Sequence, residues 1–103
     1  MRPIPKAMRD EMALDPYMKR CCLAYLGGCD GRIEWHHVII FSGRQLNEKW
    51  AIVPACHDHH MQAEPLRPHF ETVALNRATE AELKAISKAV DYIAKRNRLN
   101  YGK

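Results

Sequence analysis

The sequence predicts a small α+β domain, and three observations point to it. Two short stretches rich in β-branched and aromatic residues, 33–41 and 50–53, have the character of strands. A strongly patterned stretch near the end, 80–97, has the period of an amphipathic helix. All four cysteines fall on two segments that read as turns, where a bound metal would staple the chain. At 103 residues there is room for one modest core, so residues 1–103 are read as a single domain.

The elements follow in chain order. Residues 1–20 are polar with scattered Pro and Met, and Lys6 to Leu14 suits one or two helical turns that stop before Pro16. Residues 21–32 hold Cys21, Cys22 and Cys29 among Gly27, Gly28 and Gly31, a glycine density that means tight turns. Ile33 to Phe41 reads as the first strand, Ser42 to Lys49 as a polar loop, and Trp50 to Val53 as the second strand. Pro54 suits the opening of a short helix reaching about Ala63, with Pro65 and Pro68 ending it. Thr79 and Glu82 form a capping box, and Leu83, Ile86, Val90 and Ile93 then share one helical face. Acids lie early in this stretch (Glu80, Glu82) and bases late (Lys95, Arg96, Arg98), as the helix dipole favours. One helix over 80–97 is therefore expected, with Lys84, Lys88 and Lys95 on its wet face. Trp35 and Trp50 are expected as core or platform residues, not as base-stacking ones.

Bulk properties narrow the function classes. A formal charge of +4 suits a polyanionic partner such as nucleic acid. No run approaches 18 apolar residues, so no membrane span is expected. Met1 to Met12, with Pro3 and Pro5, lacks the apolar run of a signal peptide, and the cytoplasm is the expected location. In a reducing compartment the cysteines are expected as thiols or metal ligands, not disulfides.

The ligand-type residues cluster. Cys21, Cys22 and Cys29 precede the first strand, and Cys56, His57, His59 and His60 follow the second. Two cysteines from one turn and a Cys-x-x-His from another make the donor set of a closed tetrahedral zinc site. Adjacent side chains diverge, so the set is Cys21 or Cys22, together with Cys29, Cys56 and His59. The plainer alternative is four buried thiols in a small core.

A second constellation lies beside it. Glu34-Trp35-His36-His37 puts two histidines at the end of the first strand. Neighbours on a strand point to opposite faces, so a twisted or bulged strand end is needed to bring both to one site. His60 is adjacent to the zinc ligand His59, which would fix its position, and Asn47 lies in the loop where its amide could pin an imidazole ring.

The stretches EWHHVI and GRQLNEKWAIVPACHDHH resemble the HNH, or His-Me finger, nuclease motif over roughly residues 20–62. The likeness is to phage and prophage HNH proteins of about this length and to the RecA-dependent recombination-enhancement nucleases. It implies a ββα-metal fold and metal-dependent hydrolysis of phosphodiester bonds, most naturally in DNA and, for a phage or prophage product, in the bacterial cytoplasm. By the same resemblance His37 is the general base, His36 and His60 hold one catalytic ion, and Asn47 orients the base. The departure is at Ala51, where many members of the family carry that Asn. An imidazole of pKa near 6.5 can act as a base at neutral pH, and a divalent ion supplies charge neutralisation at phosphate. Magnesium, manganese, nickel and zinc are the candidate ions, with two nitrogen ligands favouring the softer ones. Arg44 is a candidate phosphate contact. The rival readings are a zinc-stabilised nucleic-acid-binding module without catalysis and a protein-binding zinc domain. Oligomeric state stays open.

Overall fold

The computed structural model describes residues 4–41, 44–86 and 91–101. The chain opens with helix α1, Lys6–Leu14, as its sequence suggests. It stops at Asp15, whose carboxylate accepts the Tyr17 backbone N–H at 3.0 Å and starts a 3-10 turn over Pro16–Lys19. Met12 and Met18 are buried together against Ile52, with Trp35 packed beside them.

Strand β1, Ile33–His37, pairs antiparallel with β4, Ile52–Cys56, in a register running from Ile33 opposite Cys56 to His37 opposite Ile52. Between them lies a second, very short antiparallel pair, β2 (Ile40–Phe41) and β3 (Arg44–Gln45). The expected single strand 33–41 is therefore divided. Its ladder with the second strand ends where Val38 N–H reaches Ala51 O at 2.9 Å, and the next bond runs locally, from Leu46 N–H to Ile39 O at 3.0 Å.

The second strand begins later than the sequence suggests. Lys49–Ala51 forms a 3-10 turn that buries Trp50 and Ala51. Pro54, expected to open a helix, lies inside β4 opposite Trp35. A two-stranded sheet leaves β4 with an outer edge, where a residue without an N–H is tolerated. The Pro54 carbonyl is not idle, because it accepts the Cys22 N–H at 2.8 Å and ties the first cysteine turn to the sheet.

Helix α2 then spans only His57–Met61. Helix α3, Arg67–Arg77, overturns the expectation that Pro68 ends a helix: Pro68 lies in the first turn of one. The first-turn N–H groups have no intrahelical acceptor, so proline loses nothing there, and its fixed φ suits the helix. Phe70, Ala74 and Leu75 of α3 are buried at the centre of the core, with Leu23, Val53, Ala55 and Leu83.

The last stretch forms two helices, not one: α4, Glu80–Ile86, and α5, Tyr92–Tyr101. The capping box is made as expected, Thr79 N–H to Glu82 Oε1 at 2.9 Å and Glu82 N–H to Thr79 Oγ1 at 3.1 Å. The second start has its own cap, since Asp91 Oδ1 accepts the Ala94 N–H at 3.1 Å. A short acidic side chain that can hold a free N–H favours a new N-terminus over continuation. Leu83 is fully buried, Ile86 and Ile93 pack against the core, and Val90 and Lys88 lie outside the described residues. Lys95 is not on a wet face: its ammonium is half-buried and meets Glu71 of α3 at 2.6 Å. Among the described residues no helix is long and apolar enough to cross a membrane.

Candidate metal centre and adjoining histidine cluster

Cys21, Cys29, Cys56 and His59 converge, with their ligand atoms all within 4.8 Å of one another. His59 Nδ1 lies 3.3 Å from Cys21 Sγ, 3.3 Å from Cys56 Sγ and 3.7 Å from Cys29 Sγ. Bonds of about 2.3 Å to sulfur and about 2.0 Å to nitrogen at tetrahedral angles give edges of about 3.5 Å, so the four donors fit one zinc ion. The opposite ring nitrogen is committed elsewhere: His59 Nε2–H donates to Gly27 O at 2.9 Å. That bond fixes the tautomer and leaves the Nδ1 lone pair aimed at the sulfurs.

The backbone builds this geometry from both turns. Gly27 has φ +76°, a left-handed conformation that glycine adopts readily, and it presents its carbonyl to His59. Gly31, at φ +84°, passes so close to α2 that a Cβ there would lie 2.7 Å from His57 Cβ. The tight pass lets Arg32 O accept the His57 N–H at 2.8 Å and Asp30 O accept the Asp58 N–H at 3.1 Å. Cys56 precedes α2, and its sulfur accepts the His59 N–H at 3.4 Å.

Of the adjacent cysteines, the structure brings Cys21 to the other candidate ligands. Cys21 is buried and in the cluster, whereas Cys22 stands outside it. Burial, with the neighbouring Cys21 second, pushes the Cys22 thiol up to about 12, so it stays protonated. Within the cluster the Cys29 thiol is raised to about 11, through lost hydration and then hydrogen bonds with Cys21 and Cys56. Three thiols this close resist joint ionisation unless a cation sits among them.

His57 and His60 share α2 with His59, and His36 and His37 end β1. Alternation on β1 sends Glu34 and His36 to the face under α2. There the His36 ring meets the His60 ring edge-on, with centroids 5.0 Å apart, and rests against Phe70 at 4.5 Å. Burial, then the charges of His60 and His37, lower His36 to about 4. It is therefore a neutral imidazole at physiological pH, as a metal ligand must be.

His37 belongs to a different contact. Its Nε2–H donates to Asn47 Oδ1 at 2.8 Å, an assignment required because an amide oxygen can only accept. Asn47 thus reaches the base candidate directly, although it lies four positions before Ala51. The two pairs, His36 with His60 and His37 with Asn47, leave neighbouring residues of one strand end.

Glu34 is a hub of the cluster. His60 Nδ1–H donates to its Oε1 at 2.7 Å, while His57 Nδ1 and Arg32 Nε reach its Oε2 at 3.1 and 3.2 Å. These contacts, that of His60 first, lower Glu34 to about 2. The signal was present in sequence as Glu34 and His36 two apart on one strand face, but the arrival of α2 on that face was needed to interpret it. Arg44 lies in β3 by its backbone, and its side chain lies outside the described ones. No family model, no curated protein and no solved structure matches the chain.

Proposed function

We propose that the chain is a zinc-stapled, metal-dependent endonuclease of the HNH type, with β1, β4 and α2 as its ββα-metal finger and DNA as its most natural substrate. The observation that carries this reading is the approach of His36 and His60, from a strand and a helix, to 5.0 Å beside the zinc cluster. Two imidazoles so placed can share one divalent ion and leave its remaining positions open. When bound, that ion would neutralise charge on the phosphate and the leaving oxygen. A magnesium, manganese, nickel or zinc ion is compatible in charge, and two nitrogen donors favour the softer members.

His37 is the proposed general base. With Nε2–H held by Asn47, its Nδ1 carries the lone pair that can take a proton from water. Asn47 fills the orienting role despite its offset from the position that many HNH proteins use, because the loop carries the amide back to the strand end. The zinc ion would have no chemical part and would act as the staple that positions α2.

A plasmid-nicking assay with zinc-loaded protein and added magnesium, manganese or nickel tests the reading. Wild type is expected to nick with at least one ion. His37→Ala is expected to lose about 10²–10⁴-fold in rate while keeping its zinc. Equal nicking by both proteins would remove His37 as the base. Salt-dependent DNA binding without nicking under any ion would favour the binding-module alternative.

A further inference from the structure

We infer that Glu34 is the positioning residue for His60, setting which nitrogen that ring offers to the catalytic ion; this rests on the reading of His36 and His60 as its ligands. The Glu34 carboxylate divides its two oxygens. Oε2 accepts from Arg32 Nε at 3.2 Å and from His57 Nδ1 at 3.1 Å. Oε1 is thereby left to accept the His60 Nδ1–H at 2.7 Å. A carboxylate can only accept, so the His60 proton resides on Nδ1 and the free lone pair on Nε2. The ring is then fixed in tautomer and in rotation, as in the carboxylate–histidine–metal arrangement. His59, on the same short helix, uses the mirror assignment: Nε2–H is donated to Gly27 O, and Nδ1 faces the sulfurs. Two adjacent histidines thus present opposite nitrogens, each selected by an outer acceptor on a different segment.

The arrangement gives His57 and Arg32 a purpose that the zinc site does not require. Neither is in the zinc cluster, yet both aim the carboxylate. The His36 ring is held in orientation by packing against Phe70, with centroids 4.5 Å apart.

The experiment uses full-length, zinc-loaded protein: wild type, Glu34→Ala and Glu34→Gln. Three quantities are read: zinc content, affinity for added manganese or nickel by calorimetry, and the His60 tautomer from imidazole nitrogen chemical shifts. The expected wild type holds one zinc, binds one further ion, and carries its His60 proton on Nδ1. Glu34→Ala is expected to keep its zinc, lose that tautomer preference and bind the further ion about 10–100-fold more weakly. Glu34→Gln, whose amide oxygen can still accept from Nδ1, is expected to keep the tautomer and lose less affinity. A Glu34→Ala protein with the wild-type tautomer and affinity would overturn the positioning role while leaving the ion site standing. A wild type that binds no further ion, with its His60 tautomer still dependent on Glu34, would overturn the ligand reading and the inference with it.

Discussion

At the scale of single residues, neighbouring positions with the same side chain have different fates. Cys21 joins the three other candidate metal ligands, and Cys22, adjacent to it, is a half-buried thiol raised to about 12. Cys21→Ser is therefore expected to lose bound zinc, and Cys22→Ser to retain one ion per chain, as elemental analysis of the purified proteins would measure. Retention by both would take Cys21 out of the ligand set. The sequence could narrow the set to one of the two but not choose, because the choice depends on which way the turn faces. That direction is set by the Cys22 N–H to Pro54 O bond, a contact between residues 32 positions apart. His59 and His60 are likewise adjacent and go to different sites, one to sulfur and one to Glu34.

At the scale of elements, the readable signals were those that stay local. The Thr79–Glu82 capping box is formed by residues three apart, and both of its bonds are present. The strand ends and the proline roles were not readable, because tertiary contacts decide them. Pro68 reads as a stop until the buried face of Phe70, Ala74 and Leu75 gives a helix a reason to start there. Asp91 reads as one more helical polar residue until its carboxylate is seen capping α5. Thr79→Ala and Asp91→Ala are each expected to cost about 1 kcal/mol, or about 4 °C in Tm, by thermal denaturation. Gly31→Ala should cost more, about 2 kcal/mol or above. It combines a strained φ of +84° with a Cβ 2.7 Å from His57 Cβ. Because the same turn carries Cys29, the substitution should also weaken zinc binding, readable by competition with a chromophoric chelator. A Gly31→Ala protein as stable as wild type would mean that the turn and α2 separate without cost.

At the scale of the whole molecule, a zinc ion held by Cys21, Cys29, Cys56 and His59 would couple metal binding to folding. Apparent binding free energies of structural zinc are about 10–16 kcal/mol, as large as the whole stability of a typical domain at about 5–15 kcal/mol. Chelation is therefore expected to unfold the chain, seen as loss of helical circular dichroism, with recovery on adding zinc. Acid should act in the same direction through His36. The sign follows from His36, which is lowered to about 4 in the folded protein from an ordinary value of 6.5. Above pH 6.5 both states leave it neutral. Between 6.5 and about 4 the unfolded chain takes the proton and the folded one does not, so stability falls as pH falls. Glu34, held at about 2, adds a loss of the same sign between pH 4.5 and 2. Denaturant melts from pH 7 to 4 should show the decline, and His36→Phe should flatten it above pH 4.5. An unchanged slope in that variant would remove His36 as the source of the decline.

The shortness of α2 has a consequence for how the molecule tolerates change. Five residues are too few for a helix to hold itself, so its rotational phase comes from outside, from Cys56 and His59 at the metal centre. Each residue advances the helix by about 100°. The azimuth that turns His59 toward sulfur is the same one that delivers His60 to β1. An alanine inserted between these two would leave the zinc ligands in phase and swing His60 about a quarter of a turn away from Glu34 and His36. A metal bound by Cys56 and His59 would work as a key that indexes a shaft, because the same helix phase sets where His60 points.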